Sequence, residues 1–494
     1  MWGIMKKFIN VLFVCMAGTF ICCSLFSCVS TKTEKPVEEQ PATTPVEEKK
    51  SEETSVKKEE PKKEDKDEFS KSGFVEELQQ ALRTGTAEDA LKLYDKLPEK
   101  YAEDFDLLFL KASLFVSAGR YNDAKVICDS LSEKYPDNTD VMQLAAVIAK
   151  ATGNTAEKNA QINALLEKDP KNAEANISLA EDALLNRSYK KAKQFYLKAL
   201  SGDPTNETAL LGYGETCYYT EDDEASKSTL QKVIAQDPYN DEAYYYLAKL
   251  EAANSRYKVA ADNIEKAIAI DGENYNYFLD YGMYLRYLGK FADAEVAWTK
   301  AVEMEPDYFL GYVYRAGLYD EENKFTEALA DYKTIIKLNP DYYLAYESIG
   351  ILAFHDKDWS EARKAFMKCR EFNVDNISYP LMITYCYYME GDKVNAKKYS
   401  DSVLRTMDRN SVEYTMLRSF HDETDKLPLL QKISSIDNST KRGKMYFYLG
   451  LLYDMFGGTE FANEYYLKVV NMNSPMFFEY RIAEWKVGKV NNGN

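Results

Sequence analysis

Small, bulky and helix-breaking positions recur along this chain in fixed phase. Pro136, Pro170, Pro204, Pro238, Pro306 and Pro340 fall on one 34-residue beat, with Gly272 on the beat between 238 and 306. Twelve residues before each beat stands Ala124, Lys158, Ala192, Ser226, Ala260, Ala294 or Ala328, and the column runs on to Ala362 and Ala396 and back to Ala90. Twenty-four before comes a second small column: Ala112, Ala146, Ala180, Gly214, Ala248, Gly282, Ala316 and Gly350. Eight before comes a bulky one that includes Tyr196, Leu230, Ile264, Trp298, Tyr332 and Phe366. A period of this length predicts a helical hairpin repeated along the chain. Small residues on both helices let the axes approach, and one large side chain per hairpin fills the remaining volume. Gly119, Gly153, Gly289 and Gly391 share a column midway, where a left-handed residue ends the first helix. Asn122, Thr326 and Ser360 follow and are expected to accept a backbone N–H at the start of the second helix. The beat proline then stops that helix, because it has no N–H to donate.

With these columns in place, "KFADAEVAWTKAVEMEP" (290–306) and "KFTEALADYKTIIKLNP" (324–340) resemble the tetratricopeptide repeat family. The resemblance covers ten units in phase over 69–410, the first starting near 71, with a weak spot where Lys158 stands in a small-residue column. Residues 411–442 read as an altered or shortened helical unit, 443–476 as a last unit restored by Gly450, Ala462 and Tyr466, and 477–494 as a capping helix and tail. The resemblance implies an all-α fold: a right-handed α-solenoid superhelix of about twelve stacked hairpins. It also implies that first helices line a concave surface and that the chain binds proteins rather than transforms substrates.

Ahead of the repeats, Lys6 and Lys7 precede an uncharged run from Phe8 to Phe26, an order that reads as an export signal. Leu25, Phe26, Ser27 and Cys28 resemble the lipobox of bacterial lipoprotein precursors, with Phe26 bulkier than that pattern prefers. This implies a signal peptide over 1–27 and a lipid on Cys28, which becomes the first mature residue. The alternative is an uncleaved membrane helix, for which the apolar run is long enough. Either reading places the remainder on the exported side of a bacterial membrane. From Val29 to Glu68 the chain is Glu, Lys, Pro, Thr and Ser with no aromatic residue, so 28–68 is expected to be a lipidated, disordered tether. As a flexible coil it has a reach of about 35 Å.

The net charge of −18 argues against nucleic acid, whose binding needs clustered Lys and Arg. No nucleophile with its base, phosphate loop or metal-ligand spacing is visible, so no catalytic residue, metal or cofactor is expected. His355 and His421 each lie beside aspartates and read as solvated side chains. Cys128, Cys217, Cys369 and Cys386 read as small buried thiols, with a disulfide between Cys369 and Cys386 left open.

Tyrosine is the outlier, with 39 residues against 23 Phe, too many for the packing columns alone. Helical spacing puts Tyr218, Tyr219, Tyr245, Lys249, Arg286, Tyr287, Phe354, Tyr385 and Tyr388 on the first-helix face that the family turns to its groove. Tyr and Arg there suit protein recognition, while packing between units would use the same side chains. The lysine and asparagine pair by which some family members clamp a terminal carboxylate is missing at Tyr245/Lys249, Leu279/Met283, Val313/Gly317 and Glu347/Ile351. Glu181, Glu215 and Asp320 edge an acidic groove suited to a basic or neutral partner. Two functions follow as expectations: a membrane-anchored scaffold or adaptor for proteins of the cell envelope, or a small-molecule or lipid-binding accessory of a periplasmic transport system.

Overall fold

A computed structural model describes residues 69–423 and 427–488; the signal segment, Cys28 and the tether lie outside them. Every regular element among the described residues is helical. The described residues divide into two compact units, one running to Glu221 and the other from Asp222.

In the first unit, helix Lys71–Thr84 is followed by a short helix Ala87–Leu91 that tightens into the 3-10 turns Lys92–Lys96 and Glu99–Tyr101. Three regular hairpins come next, Phe105–Ser117 with Tyr121–Lys134, Thr139–Ala151 with Thr155–Lys168, and Ala173–Leu185 with Tyr189–Gly202, before helix Glu207–Tyr219. The second unit opens with Asp223–Gln236 and runs through five hairpins from Asp241–Ala253 to Lys393–Leu404. The irregular stretch is next, Val412–Asp422 and the short Leu427–Ser434. A last hairpin, Ser439–Met455 with Thr459–Val470, and a closing helix, Phe478–Lys486, complete it.

Each hairpin closes as the small and bulky columns require. A Cβ on Gly282 would stand 2.4 Å from the indole nitrogen of Trp298, and one on Gly350 would stand 2.9 Å from the Phe366 ring. The Trp298 indole uses the proximity to donate to the Leu279 carbonyl at 3.0 Å. Lys158 fits its small-residue column by a different route. Its stem is buried and its ammonium reaches Asp182 at 2.7 and 2.6 Å, so the charge is paired while the methylenes fill the slot.

The turn between helices is stricter than the glycines suggest. Gly119, Gly153, Gly289 and Gly391 are left-handed, but so are Arg187, Glu221, Ser255, Asn323 and Lys357 in the same column, at φ between 52° and 61°. Hairpin closure therefore imposes the left-handed state whatever side chain is present, at a cost of about 1 kcal/mol for a non-glycine residue.

The caps differ from expectation. Asn122, Thr326 and Ser360 fall inside second helices that begin at Tyr121, Phe325 and Trp359. The cap positions are Arg120 and Lys324, without a side-chain bond, and Asp358, which accepts from the Glu361 amide. A cap column does exist on the first helices, two residues after the beat. There Asn138, Asn172, Asn206 and Asn240 accept from the amides of Val141, Ala175, Ala209 and Ala243, a contribution of about 1 kcal/mol each.

Two stability measurements check this account in urea. Gly282→Ala drives a methyl into Trp298 and should cost about 1–3 kcal/mol. Lys357→Gly, relieving the left-handed strain, should gain about 0.5–1 kcal/mol.

Candidate functional site

Residue order on the first helices decides which tyrosines can meet a partner. The first residue of a second helix reaches the end of the next hairpin's first helix, thirty residues on, and a ring pair forms there repeatedly. In the first unit Tyr189 stacks on Tyr219 with centroids 4.3 Å apart and planes at 17°. In the second, Tyr257 stacks on Tyr287 at 4.3 Å and 8°, and Phe325 meets His355 edge-on at 5.0 Å. Tyr219 is 38% exposed and Tyr287 59%. Each stacked pair thus presents a rigid aromatic face to solvent, a good anchor for a partner side chain.

The other candidates divide. Tyr218 packs edge-on against Tyr219. Tyr245 tilts on Tyr277 at 4.8 Å, with the Lys249 ammonium 5.1 Å over its ring. Arg286 is exposed and pairs with Glu321 of the following hairpin at 2.7 Å. Phe354, Tyr385 and Tyr388 correct the expectation, because they are buried. Phe354 packs on Trp359 and Tyr385, and the Tyr388 hydroxyl donates to the Phe420 carbonyl at 2.8 Å.

Helix Val412–Asp422 covers Tyr388, and a return of the chain that local spacing does not announce reaches Phe354 and Tyr385. Helix Ser439–Met455 packs against Ser378–Met389, and the closing helix Phe478–Lys486 packs on the last hairpin while also reaching Tyr343–His355. Three side chains fasten that helix. Glu479, fully buried, accepts from the Ser378 hydroxyl and, at 2.8 Å, from the Tyr448 hydroxyl. Arg481 grips Asp320 with two nitrogens at 2.6 and 2.7 Å. Trp485 lies 4.5 Å from His355 and 5.5 Å from Phe325, with the Arg481 guanidinium 4.5 Å over its indole. Asp320 is therefore already paired, as is Glu181, which Lys150 meets at 2.5 Å.

His355 is a packing residue in this setting, its Nδ1 3.0 Å from Asp356; His421 makes the same local contact with Asp422 at 2.7 Å. The four described cysteines are buried free thiols, Cys369 and Cys386 included. Burial pushes the Cys128 thiol up to about 12 and raises Cys369 and Cys386 as well, which is the reverse of what activates a thiol nucleophile. Among the described residues no group of His, Cys, Asp or Glu gathers as metal ligands, and no helix is long and apolar enough to cross a membrane. The first unit has an open, mainly polar cleft of about 340 Å³ lined in part by Asn159, Asn163, Asp182, Lys191 and Phe195, which lacks the apolar enclosure of a small-molecule site.

The family model described as Tetratricopeptide repeat matches residues 318–368. No curated protein sequence matches the chain. Solved structures that match include PilF of Pseudomonas aeruginosa, at 19% identity and a TM-score of 0.33, covering 44% of this chain and 97% of that one. A tetratricopeptide repeat protein of Parabacteroides merdae matches at 18% identity and 0.35, covering 50% and 97%. YrrB, described as having an unusual peptide-binding site, matches at 21% identity and 0.32, covering 40% and 97%.

The closing helix supplies the measurement that checks this site. Arg481→Ala removes a bidentate, half-buried ion pair and should cost about 1–3 kcal/mol. Faster hydrogen exchange should appear in Tyr343–His355 and Phe478–Lys486 together, with exchange in the first unit unchanged.

Proposed function

The chain is a tetratricopeptide-repeat protein, and we propose that it is a non-catalytic scaffold tethered to a bacterial membrane through a lipid on Cys28, holding other proteins of the cell envelope. A tetratricopeptide fold is the fold of a protein-interaction scaffold, and the observation that carries the proposal is the pair of exposed stacked rungs, Tyr189 on Tyr219 and Tyr257 on Tyr287. Stacking immobilises each ring before a partner arrives, so little side-chain entropy is lost on binding. A contact surface of this kind suits capture rather than turnover.

The tether and anchor are supported by sequence alone: the basic, apolar and small-residue order ending at Cys28, then the run of Glu, Lys, Pro, Thr and Ser. Two or more acyl chains would make the attachment stable, where a single chain would not. A leash of about 35 Å would hold the repeats clear of the headgroups while leaving them free to turn toward partners.

The test is affinity purification of the lipidated chain from its own cells in mild detergent, with mass spectrometry of what accompanies it. A stoichiometric envelope protein should be recovered. Replacing Tyr219 and Tyr287 with Ala should lower that recovery at least tenfold while leaving the helical circular dichroism intact, and Cys28→Ser should abolish lipid labelling. Recovery of a bound metabolite and no protein would reject the scaffold.

A further inference from the structure

The rung of Phe325 on His355 holds the same register as Tyr257 on Tyr287, two repeats on, but its surroundings differ. Tyr287 is turned to solvent. His355 has the Trp485 indole of the closing helix 4.5 Å away, and Phe325 has the same indole at 5.5 Å and the Arg481 guanidinium at 5.6 Å. Arg481 and Trp485 stand four residues apart on one face of that helix. Arg481 meets both carboxylate oxygens of Asp320, at 2.6 and 2.7 Å, and the Asp320 carbonyl at 3.3 Å. These ends of neighbouring hairpins therefore form a helix-docking site with an occupant in it: a carboxylate for a guanidinium, then a ring pair for an indole.

That occupant is held on conflicting terms. One face stays with the last hairpin, where Ile482 and Ala483 are buried and the Tyr480 hydroxyl donates to the Val470 carbonyl at 3.2 Å. Docking also drives Glu479 into the interior, where it keeps no exposed surface. Its Oε1 accepts from Ser378 and Tyr448, but its Oε2 has no hydrogen-bond partner, and the Lys444 ammonium stands 3.8 Å away. A buried carboxylate oxygen left unmatched destabilises the docked state, and undocking returns it to water. The helix is only nine residues long and starts after Phe477 without a side-chain cap bond, so it has little helical stability of its own. Its hold on Asp320 and the rung is thus opposed from within the same nine residues.

We propose that Asp320, Phe325 and His355 form a recognition site for a partner protein's helix that bears an arginine and, four residues on, an aromatic side chain, and that the closing helix fills this site until such a helix displaces it. The inference rests on the scaffold reading and names the partner's chemistry together with the contact that holds the site shut. The protein's own example selects the occupant, because a guanidinium and an indole at that spacing are what the site holds. The incoming helix replaces those two contacts, while Glu479 regains water as the closing helix leaves. A partner shifts the equilibrium by its preference for the open state, and its apparent affinity falls with the fraction of molecules that are closed.

The test titrates the full-length protein in detergent with a fluorescent peptide of the closing helix's own sequence, Phe477 to Gly488, and with a counterpart in which glutamate replaces its arginine. Arg481→Ala combined with Trp485→Ala loosens the resident helix and should raise affinity for the peptide at least tenfold over the unaltered protein. Adding Asp320→Asn should lower it again at least tenfold, and the counterpart should bind neither protein. Hydrogen exchange of the unaltered protein gives a readout that needs no variant to fold: amides of Phe478–Lys486 should exchange faster than those of Ser378–Met389, against which the last hairpin packs. Equal affinity of the loosened and unaltered proteins, binding indifferent to Asp320→Asn, binding of the glutamate counterpart, or closing-helix amides as slow as those of Ser378–Met389 would each overturn the proposal. Recovery of an envelope protein through Tyr219 and Tyr287 is read separately, so failure here leaves the scaffold standing.

Discussion

Two helices can lie against each other over four turns only if something small stands between them at the crossing. That steric condition governs this protein. It places a small residue at most crossing positions of both helices, sends one bulky side chain per hairpin into the space left over, and requires the joining residue to turn back sharply. The left-handed column is the other side of the same demand. Arg187, Ser255 and Lys357 adopt a backbone conformation they would avoid in isolation because the packed helices on either side leave no alternative.

The repeats were legible because they are written locally and often. A column such as Ala260, Ala294, Ala328 and Ala362 needs no long-range information to be recognised. Two other columns run in the same phase with a fainter signature. The asparagine caps stand in the loop between hairpins rather than the one inside them, so the hairpin pattern does not point to them. The left-handed positions were read only where glycine marked them, since Lys357 carries no sign of its backbone state. Legibility failed most clearly at Phe354, Tyr385 and Tyr388. Their spacing places them on the face that the resemblance turns to a groove, and all three are buried. What spacing does not contain is that later helices of the same chain, Val412–Asp422 at Tyr388 and the last hairpin and closing helix at Tyr385 and Phe354, pack against them.

Charge follows a related logic. Much of the acidic surface is spent internally, on Lys158 with Asp182, Arg315 with Asp331 and Arg481 with Asp320. Half-buried pairs of this kind set geometry more than they add stability, because desolvation offsets most of the attraction. Tyrosine does the complementary work: buried, as Tyr277 and Tyr448 are, it fills volume and satisfies its hydroxyl on a carboxylate, and exposed, it makes a stiff surface.

A linear stack in which each hairpin touches only its neighbours can fray from its end one repeat at a time. The bond between Arg481 and Asp320 joins positions 161 residues apart and converts that open end into a closed ring of contacts. Pulled by its terminus, the second unit would not peel. The load would pass through the closing helix to Asp320 first, so the hairpins from Phe309 onward would hold together until that fastening gave and then yield as one body.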